Sequence, residues 1–299
     1  MAPGALLDRT IAGERAVFFR TTDGTLKALE NRCLHRSAPL SLGIHEGDAV
    51  RCNYHGIKYD ADGACIEIPG QSMIPKRACV RSYPVVERQG WIWFWPGDAE
   101  LADPARIPQI QDLGEPGWRM RTGYLHYNTN HELINDNLLD LSHISYLHSR
   151  TLGAGNMSWG SEAPTLQRRD NGLFIERWMT NVPRTLGDAP VHDNLNTYEF
   201  IIPGILAIHS VFQPAGSGTR ENMSAEITSE CWTWQAITPA TEKTTHYFFS
   251  LATPEQMSTD EYMDEGMKFL LLGFEEDRIM IEAQQRHLPQ FKKAMAGKT

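Results

Sequence analysis

What this 299-residue sequence has little of narrows its reading first. Five cysteines, an odd number in a chain expected to stay where thiols are kept reduced, read better as metal ligands and small buried fillers than as a disulfide framework. No apolar run approaches the ~20 residues that span a bilayer, and the first residues lack the basic start and apolar core of an export signal. A cytoplasmic chain with no membrane role is expected. Positive charge is scarce as well: 28 lysines and arginines against 37 aspartates and glutamates leave a net charge of −9, with no basic footprint for nucleic acid. A glycine fingerprint for a dinucleotide is missing. Internal repeats and low-complexity tracts are absent.

The 41% apolar content is enough for the cores of two domains. The first hundred or so residues read as short strands between turns. Arg15 to Arg20 and Thr25 to Leu29 form a hairpin across Thr22-Asp23-Gly24. Gly56 to Tyr59 pairs with Ala64 to Ile68 across Asp60 to Gly63, and Val80 to Glu87 with Trp91 to Trp95 across Gln89-Gly90. Alternation of Trp91, Trp93 and Trp95 with Ile92 and Phe94 suggests a strand covered on both faces. Prolines at 96, 104, 108 and 116 mark a connection, placing an all-β domain at 1–110 and a second domain at 111–299. The latter has a helical pattern over 131–148, strands over about 164–252 and a last helix from Thr259, which makes the fold α+β.

Cys33-Leu-His35 is followed, after sixteen residues, by Cys52-Asn-Tyr-His55. Each loop supplies one cysteine and one histidine, whereas a tetrahedral zinc site would favour C-x-x-C pairs. A Rieske [2Fe–2S] cluster needs that mixture, with both thiolates on one iron and both imidazoles on the other. Neutral imidazoles leave less negative charge on their iron and raise the reduction potential, which suits an electron relay. Cys65, Cys79 and Cys231 lack such partners and read as fillers, and His45 as a turn histidine.

Nearly two hundred further residues exceed what an electron carrier requires, and they hold a second pattern, Asn137-Leu-Leu-Asp140-Leu-Ser-His143-Ile-Ser-Tyr-Leu-His148. Asn137, Asp140 and His143 recur at three-residue intervals, a polar stripe in leucine-rich helix. His143 and His148 are five apart, so joint binding of one metal requires the helix to end or distort between them. In the last helix Asp277 shares an apolar stripe with Leu270, Phe274 and Ile281, while Glu275 lies with Arg278 and Glu282 on a polar one; periodicity leaves Glu276 open as a third ligand.

These motifs resemble the Rieske non-heme iron oxygenases, in particular the vanillate O-demethylase and dicamba monooxygenase group. The likeness spans the Rieske half, Pro84-Val-Val-Glu-Arg with the tryptophan strand, Asp136-Asn-Leu-Leu-Asp-Leu-Ser-His143, Thr238-Pro239 and the final helix. It implies a helix-grip catalytic domain, a curved antiparallel sheet over a long C-terminal helix with substrate between them. It also implies a mononuclear Fe(II) in a 2-His-1-carboxylate triad of His143, His148 and Asp277. Family members are ring-shaped homotrimers in which a cluster serves the neighbour's iron, and Asp140 would accept hydrogen bonds from His55 of one subunit and His143 of the next. Electrons would come from an NAD(P)H-dependent flavoprotein reductase, directly or through a ferredoxin.

The implied activity is O2-dependent O- or N-dealkylation or methyl hydroxylation of a small aromatic substrate. A ring-hydroxylating dioxygenase is the alternative, and an electron-transfer protein without oxygenase activity a further one. Gln235 departs from the group, which commonly places a histidine there to contact a polar substrate group, so a neutral amide, an ether or a differently placed acid becomes admissible. Ile201, Ile202, Leu206, Ile208 and Phe248 are candidates for an apolar pocket. Family members extend further at both ends, so a shortened chain with weakened trimer contacts is also an expectation.

Overall fold

The computed structural model describes the chain except residues 1, 3, 110–115, 154–155, 184–190, 225 and 297–299. It divides into two units, Met1–Gln109 and Ile110–Thr299.

Unit one is built from β1 Leu7–Ile11, β2 Glu14–Arg20, β3 Leu26–Glu30, β4 Ile44–His45, β5 Ala49–Arg51, β6 Lys58–Asp60, β7 Cys65–Glu67, β8 Ser82–Tyr83, β9 Val85–Arg88 and β10 Trp91–Phe94. They form two four-stranded sheets, ordered β1-β2-β3-β8 and β4-β5-β6-β7, and a β9-β10 ribbon. Ala16 to Phe19 of β2 are buried on both faces, which explains their unbroken apolar run. The ribbon departs from expectation. Ile92 is exposed and the tryptophans only half buried, with the Trp91 and Trp93 rings stacked 6.1 Å apart, because a two-stranded ribbon has too few neighbours to cover both faces.

Unit two holds β11 Trp118–Tyr127, α1 His131–Leu139, α2 Ser158–Ser161, β12 Thr165–Arg169, β13 Gly172–Val182, β14 His192–Ile201, β15 Ile205–Pro214, β16 Ser229–Thr241, β17 Thr244–Pro254 and α3 Asp260–Ala296. Its strands make one curved seven-stranded antiparallel sheet, β11-β17-β16-β15-β14-β13-β12. The helix α3 packs on one face. Phe274 lies against the rings of Tyr247 and Phe249 at 5.0 and 4.9 Å, and the buried Tyr127 hydroxyl donates to the Phe274 carbonyl oxygen at 2.7 Å. Among the described residues no helix is long and apolar enough to cross a membrane.

The helical pattern over 131–148 breaks earlier than expected. The helix α1 stops at Leu139, and Asp140, at φ −117° and ψ 83°, turns the chain into a 3-10 helix over Leu141–Ser145. So the polar stripe is not one helix face: Asn137 belongs to α1, Asp140 caps both elements, and His143 sits on the 3-10 turn. Asn137 and His143 nevertheless meet across the turn at Asp140, Nδ2 to Nε2 at 3.4 Å.

Candidate metal centres

In unit one Cys33 and Cys52 sit on two loops of the same backbone form. Cys33 N–H donates to the Ala38 oxygen at 2.8 Å and Ser37 N–H to the Cys33 oxygen at 3.0 Å; Cys52 with Ile57, and Gly56 with Cys52, repeat the pattern at 2.8 and 2.9 Å. The closing residue is left-handed in both, Ser37 at φ 55° and Gly56 at φ 77°, and at the second a Cβ would also lie 2.9 Å from the Pro69 ring. Both cysteines are 1% exposed, while His35 and His55 are exposed, their rings edge to face at 4.5 Å. Burial pushes the Cys52 thiol up, as does Cys33 beside it, although backbone N–H groups of Tyr54 and His55 oppose this. A buried thiol pair with an imidazole pair at the surface is the donor set of a Rieske cluster, and binding iron relieves the burial penalty by fixing both thiolates.

One partner escaped sequence reading. The Tyr59 hydroxyl, fully buried, accepts from Leu34 N–H at 3.1 Å and lies 3.3 Å from Cys33 Sγ, so toward a thiolate there the phenol's own proton would be the one donated. Burial, followed by the neighbouring Cys33, raises the phenol well above its ordinary value and keeps that proton in place. Hydrogen bonds to a cluster's sulfurs raise its potential. Tyr59→Phe is expected to lower the cluster potential by roughly 40 mV, the one-electron equivalent of a single hydrogen bond of ~1 kcal/mol, by redox titration of the EPR signal. An unchanged potential would remove Tyr59 from the electron relay.

In unit two His143, His148 and Asp277 bring one ligand atom each to within 4.8 Å of one another. Asp277 Oδ1 is 3.4 Å from His143 Nε2 and 3.1 Å from His148 Nε2. His148 is fully buried and its Nε2 has no hydrogen-bond partner despite that proximity, as fits a nitrogen aimed at a metal rather than at a proton acceptor. Gly153 packs tightly against the 3-10 turn, since a Cβ there would lie 2.3 Å from the Ile144 oxygen.

Glu276, left open by periodicity, is on the other nitrogen of His148, 2.7 Å from Nδ1, and also accepts from the Thr151 hydroxyl at 2.5 Å. It therefore orients an imidazole instead of joining the ligand group. Glu275 pairs with Arg278, which also reaches Glu282. Asn137 Nδ2 donates to Asp277 Oδ1 at 3.1 Å and lies 3.4 Å from His143 Nε2. Asp140 is exposed: its Oδ1 accepts from Ser142 N–H at 3.1 Å and Oγ at 2.5 Å, bonds that hold the carboxyl below its usual range. His143 Nδ1 lies 2.6 Å from the backbone oxygen of Asp140, so within this chain the carboxylate is not the histidine's partner.

Two hollows flank these residues. An open one of about 620 Å3 is walled by Asn137, Asp140, His143 and Met280 among others. The other, about 210 Å3, lies between the sheet and α3 and is bounded by Leu141 and Ile144 on either side of His143 in the chain, and by Ile208, Thr233 and Leu270. Ile208 thus lines a cavity. Gln235 does not, though it is 2% exposed on the same sheet face and donates to Thr233 Oγ1 at 3.2 Å. Of the other apolar candidates Ile202 is exposed in a turn, Leu206 is core, and Phe248 faces the opposite side with Tyr124 and His246.

Residues 1–84 match the Rieske [2Fe-2S] domain, and residues 127–296 match the vanillate O-demethylase oxygenase C-terminal domain. The chain belongs to the Rieske oxygenases. It is 39% identical over 297 residues to the toluene-4-sulfonate monooxygenase system iron-sulfur subunit of Comamonas testosteroni, covering 95% of this chain and 84% of that protein. Identity to the vanillate O-demethylase oxygenase subunit of a Pseudomonas species is 34%, with 94% and 82% covered. The crystal structure of dicamba monooxygenase with non-heme iron and dicamba superposes at a TM-score of 0.79, 27% identical, over 97% of this chain and 85% of that one. Like these relatives, this Rieske oxygenase is an oxidoreductase: a [2Fe–2S] domain followed by a catalytic domain with a candidate mononuclear iron site.

Proposed function

We propose that this oxygenase component takes electrons from a separate NAD(P)H-dependent reductase, directly or through a ferredoxin, and uses O2 to hydroxylate a methoxy, N-methyl or ring-methyl carbon of a small aromatic. A hydroxylated methoxy or N-methyl carbon then releases formaldehyde. The convergence of two imidazoles and one carboxylate in a chain that also holds a Rieske domain carries this reading. Iron(II) held by His143, His148 and Asp277 would supply free coordination positions for O2 beside a bound substrate. Glu276 fixes the His148 ring through Nδ1, leaving Nε2 to face the metal, and Asn137 holds Asp277 by one oxygen. Cys33, His35, Cys52 and His55 hold the cluster.

In a homotrimer the cluster of one copy would serve the iron of the next. Exposure of Asp140 on the open hollow, beside His143, supports its carboxylate as the group that meets the neighbour's His55 there. Asp140→Asn is expected to keep the iron content and cluster EPR signal while stopping electron delivery, read as loss of single-turnover cluster reoxidation. Normal reoxidation would remove Asp140 from the path. Screening methoxylated, N-alkylated and methylated aromatics for coupled O2 uptake and formaldehyde tests the reaction itself. A cis-dihydrodiol would make it a dioxygenase, and O2 uptake indifferent to every substrate would leave an electron carrier.

A further inference from the structure

A buried charge adjoins the cavity between the sheet and α3. Arg177, on β13, is 3% exposed. Its Nη1 donates to the carbonyl oxygens of Trp159 and Glu162, the latter at 2.9 Å, and its Cζ lies 5.7 Å from the centre of the Trp159 ring. The guanidinium also stands beside the buried Tyr198 hydroxyl, where it opposes the rise that burial imposes on that phenol. Nε has no hydrogen-bond partner. All of these partners are neutral, and among the described residues Arg177 forms no ion pair. Asp140 is near enough to feel the charge, but it is exposed and gives its Oδ1 to Ser142. A guanidinium stays ionised, and burying one is costly unless an anion or a complete set of hydrogen bonds replaces its water. Here the set of bonds is incomplete, and no carboxylate of the described residues completes it.

Strand register ties this charge to the cavity. Arg177 is directly opposite Asn196 of β14, and the same row runs on through Ser210 of β15 and Cys231 of β16. Asn196, Ser210, Cys231 and Trp159 all line the cavity, so Arg177 sits immediately behind its wall. Directly opposed side chains have Cβ atoms only about 5 Å apart. Asn196 donates to Ser210 Oγ at 2.7 Å and leaves Oδ1 without a partner, so opposed residues carry one unmade bond each. The cavity, at about 210 Å3, exceeds the roughly 150 Å3 of an apolar cavity that admits benzene, which sets the scale at one ring with small substituents. Its described lining holds no lysine, arginine, histidine, aspartate or glutamate, so no charge in that lining offsets the one behind it. Across a wall without water a charge is felt over several ångströms, and an anion in the cavity is favoured even where it does not touch the guanidinium.

We propose that Arg177 is a specificity-determining residue that makes this cavity selective for a single-ring aromatic bearing a carboxylate or sulfonate, the bound anion supplying the counter-charge. It rests on the oxygenase reading and names the substrate class of that site. Two probe pairs, each matched in shape and differing in charge, isolate that property: 4-methylbenzoate with 4-methylbenzamide, and toluene-4-sulfonate with toluene-4-sulfonamide. They are titrated calorimetrically at neutral pH, without oxygen, into the full chain with both metal centres loaded. In at least one pair the anion is expected to bind at least about tenfold more tightly. Arg177→Gln is expected to remove most of that preference. Arg177→Lys keeps the charge without the fork of donors and is expected to retain most of it. A residue that only braced Trp159 and Glu162 would instead weaken both members of a pair alike in either variant. Asn196→Asp, nearly isosteric, sets a carboxylate opposite Arg177 and is expected to cancel the preference, which repeats the test should Arg177→Gln fail to fold. The cluster's visible spectrum and circular dichroism are the criterion of folding. Absence of an anion preference in both pairs overturns the proposal, as does a preference that survives in folded Arg177→Gln or Asn196→Asp. Because binding is read without turnover, failure of the oxygenase reading appears separately, as O2 uptake that no substrate stimulates.

Discussion

Asp277→Ala is expected to reduce iron from about three to about two atoms per chain, leave the Rieske EPR signal intact and abolish substrate-dependent O2 uptake. The geometry explains why this carboxylate and no neighbour has that effect. Asp277 is 4% exposed, with one oxygen facing the Nε2 atoms of both His143 and His148. Glu276→Gln, one residue away, is expected to weaken iron binding by about 10- to 100-fold without emptying the site, since it acts on His148 through the other nitrogen. In the metal-free protein Asp277→Ala should lower the thermal midpoint, because it takes away the acceptor of the Asn137 amide and the partner of the buried His148 ring. Iron assay and calorimetry on the same preparations check all three statements, and retention of three irons by Asp277→Ala would exclude it as a ligand.

Loss of the other centre should look different. Cys52→Ala is expected to lower iron to about one atom per chain, erase the Rieske EPR signal and visible absorption, and stop turnover while the mononuclear site still fills. Cys33 and Cys52 belong to the same core as Val17, Leu29, Val50 and Tyr59, so the proposed cluster ligands and the structural core coincide in this unit. The unit should therefore become more sensitive to proteolysis when the cluster is lost. In Asp277→Ala, whose ligand lies in the other unit, it should not. A Cys52→Ala protein that keeps the cluster spectrum would break the assignment of the loop.

How far the residues alone reached depended on whether the chemistry was local. The two loops that carry C-x-H and C-x-x-H are short and closed by their own backbone bonds, so spacing alone marks them as candidate cluster loops, as periodicity marks the α3 face that carries Asp277 among Phe274 and Ile281. Three features were not legible in that way. The stop of α1 at Asp140 follows from the side chain capping Ser142, which competes with helix continuation and carries no unambiguous pattern. Tyr59 looked like an ordinary strand aromatic, although a buried tyrosine hydroxyl needs a partner and a nearby thiol was a candidate. Substrate-facing residues were the hardest, because alternation along a strand says which side chains share a face and not which of them border a void.

By itself the sequence determined the candidate ligand set, the all-β first unit, the strand-rich second unit and the amphipathic last helix, since composition, spacing and periodicity are properties of neighbours along the chain. Tertiary structure alone decided which carboxylate faces both histidines and which one props a ring from behind. It also placed Ile208 rather than Gln235 on the cavity, and left Asn196 and Asn156 each with an unpartnered atom. Those outcomes join residues more than a hundred positions apart, such as His148 and Glu276. Whether such side chains meet depends on how a curved sheet and a long helix pack, which local preference does not encode.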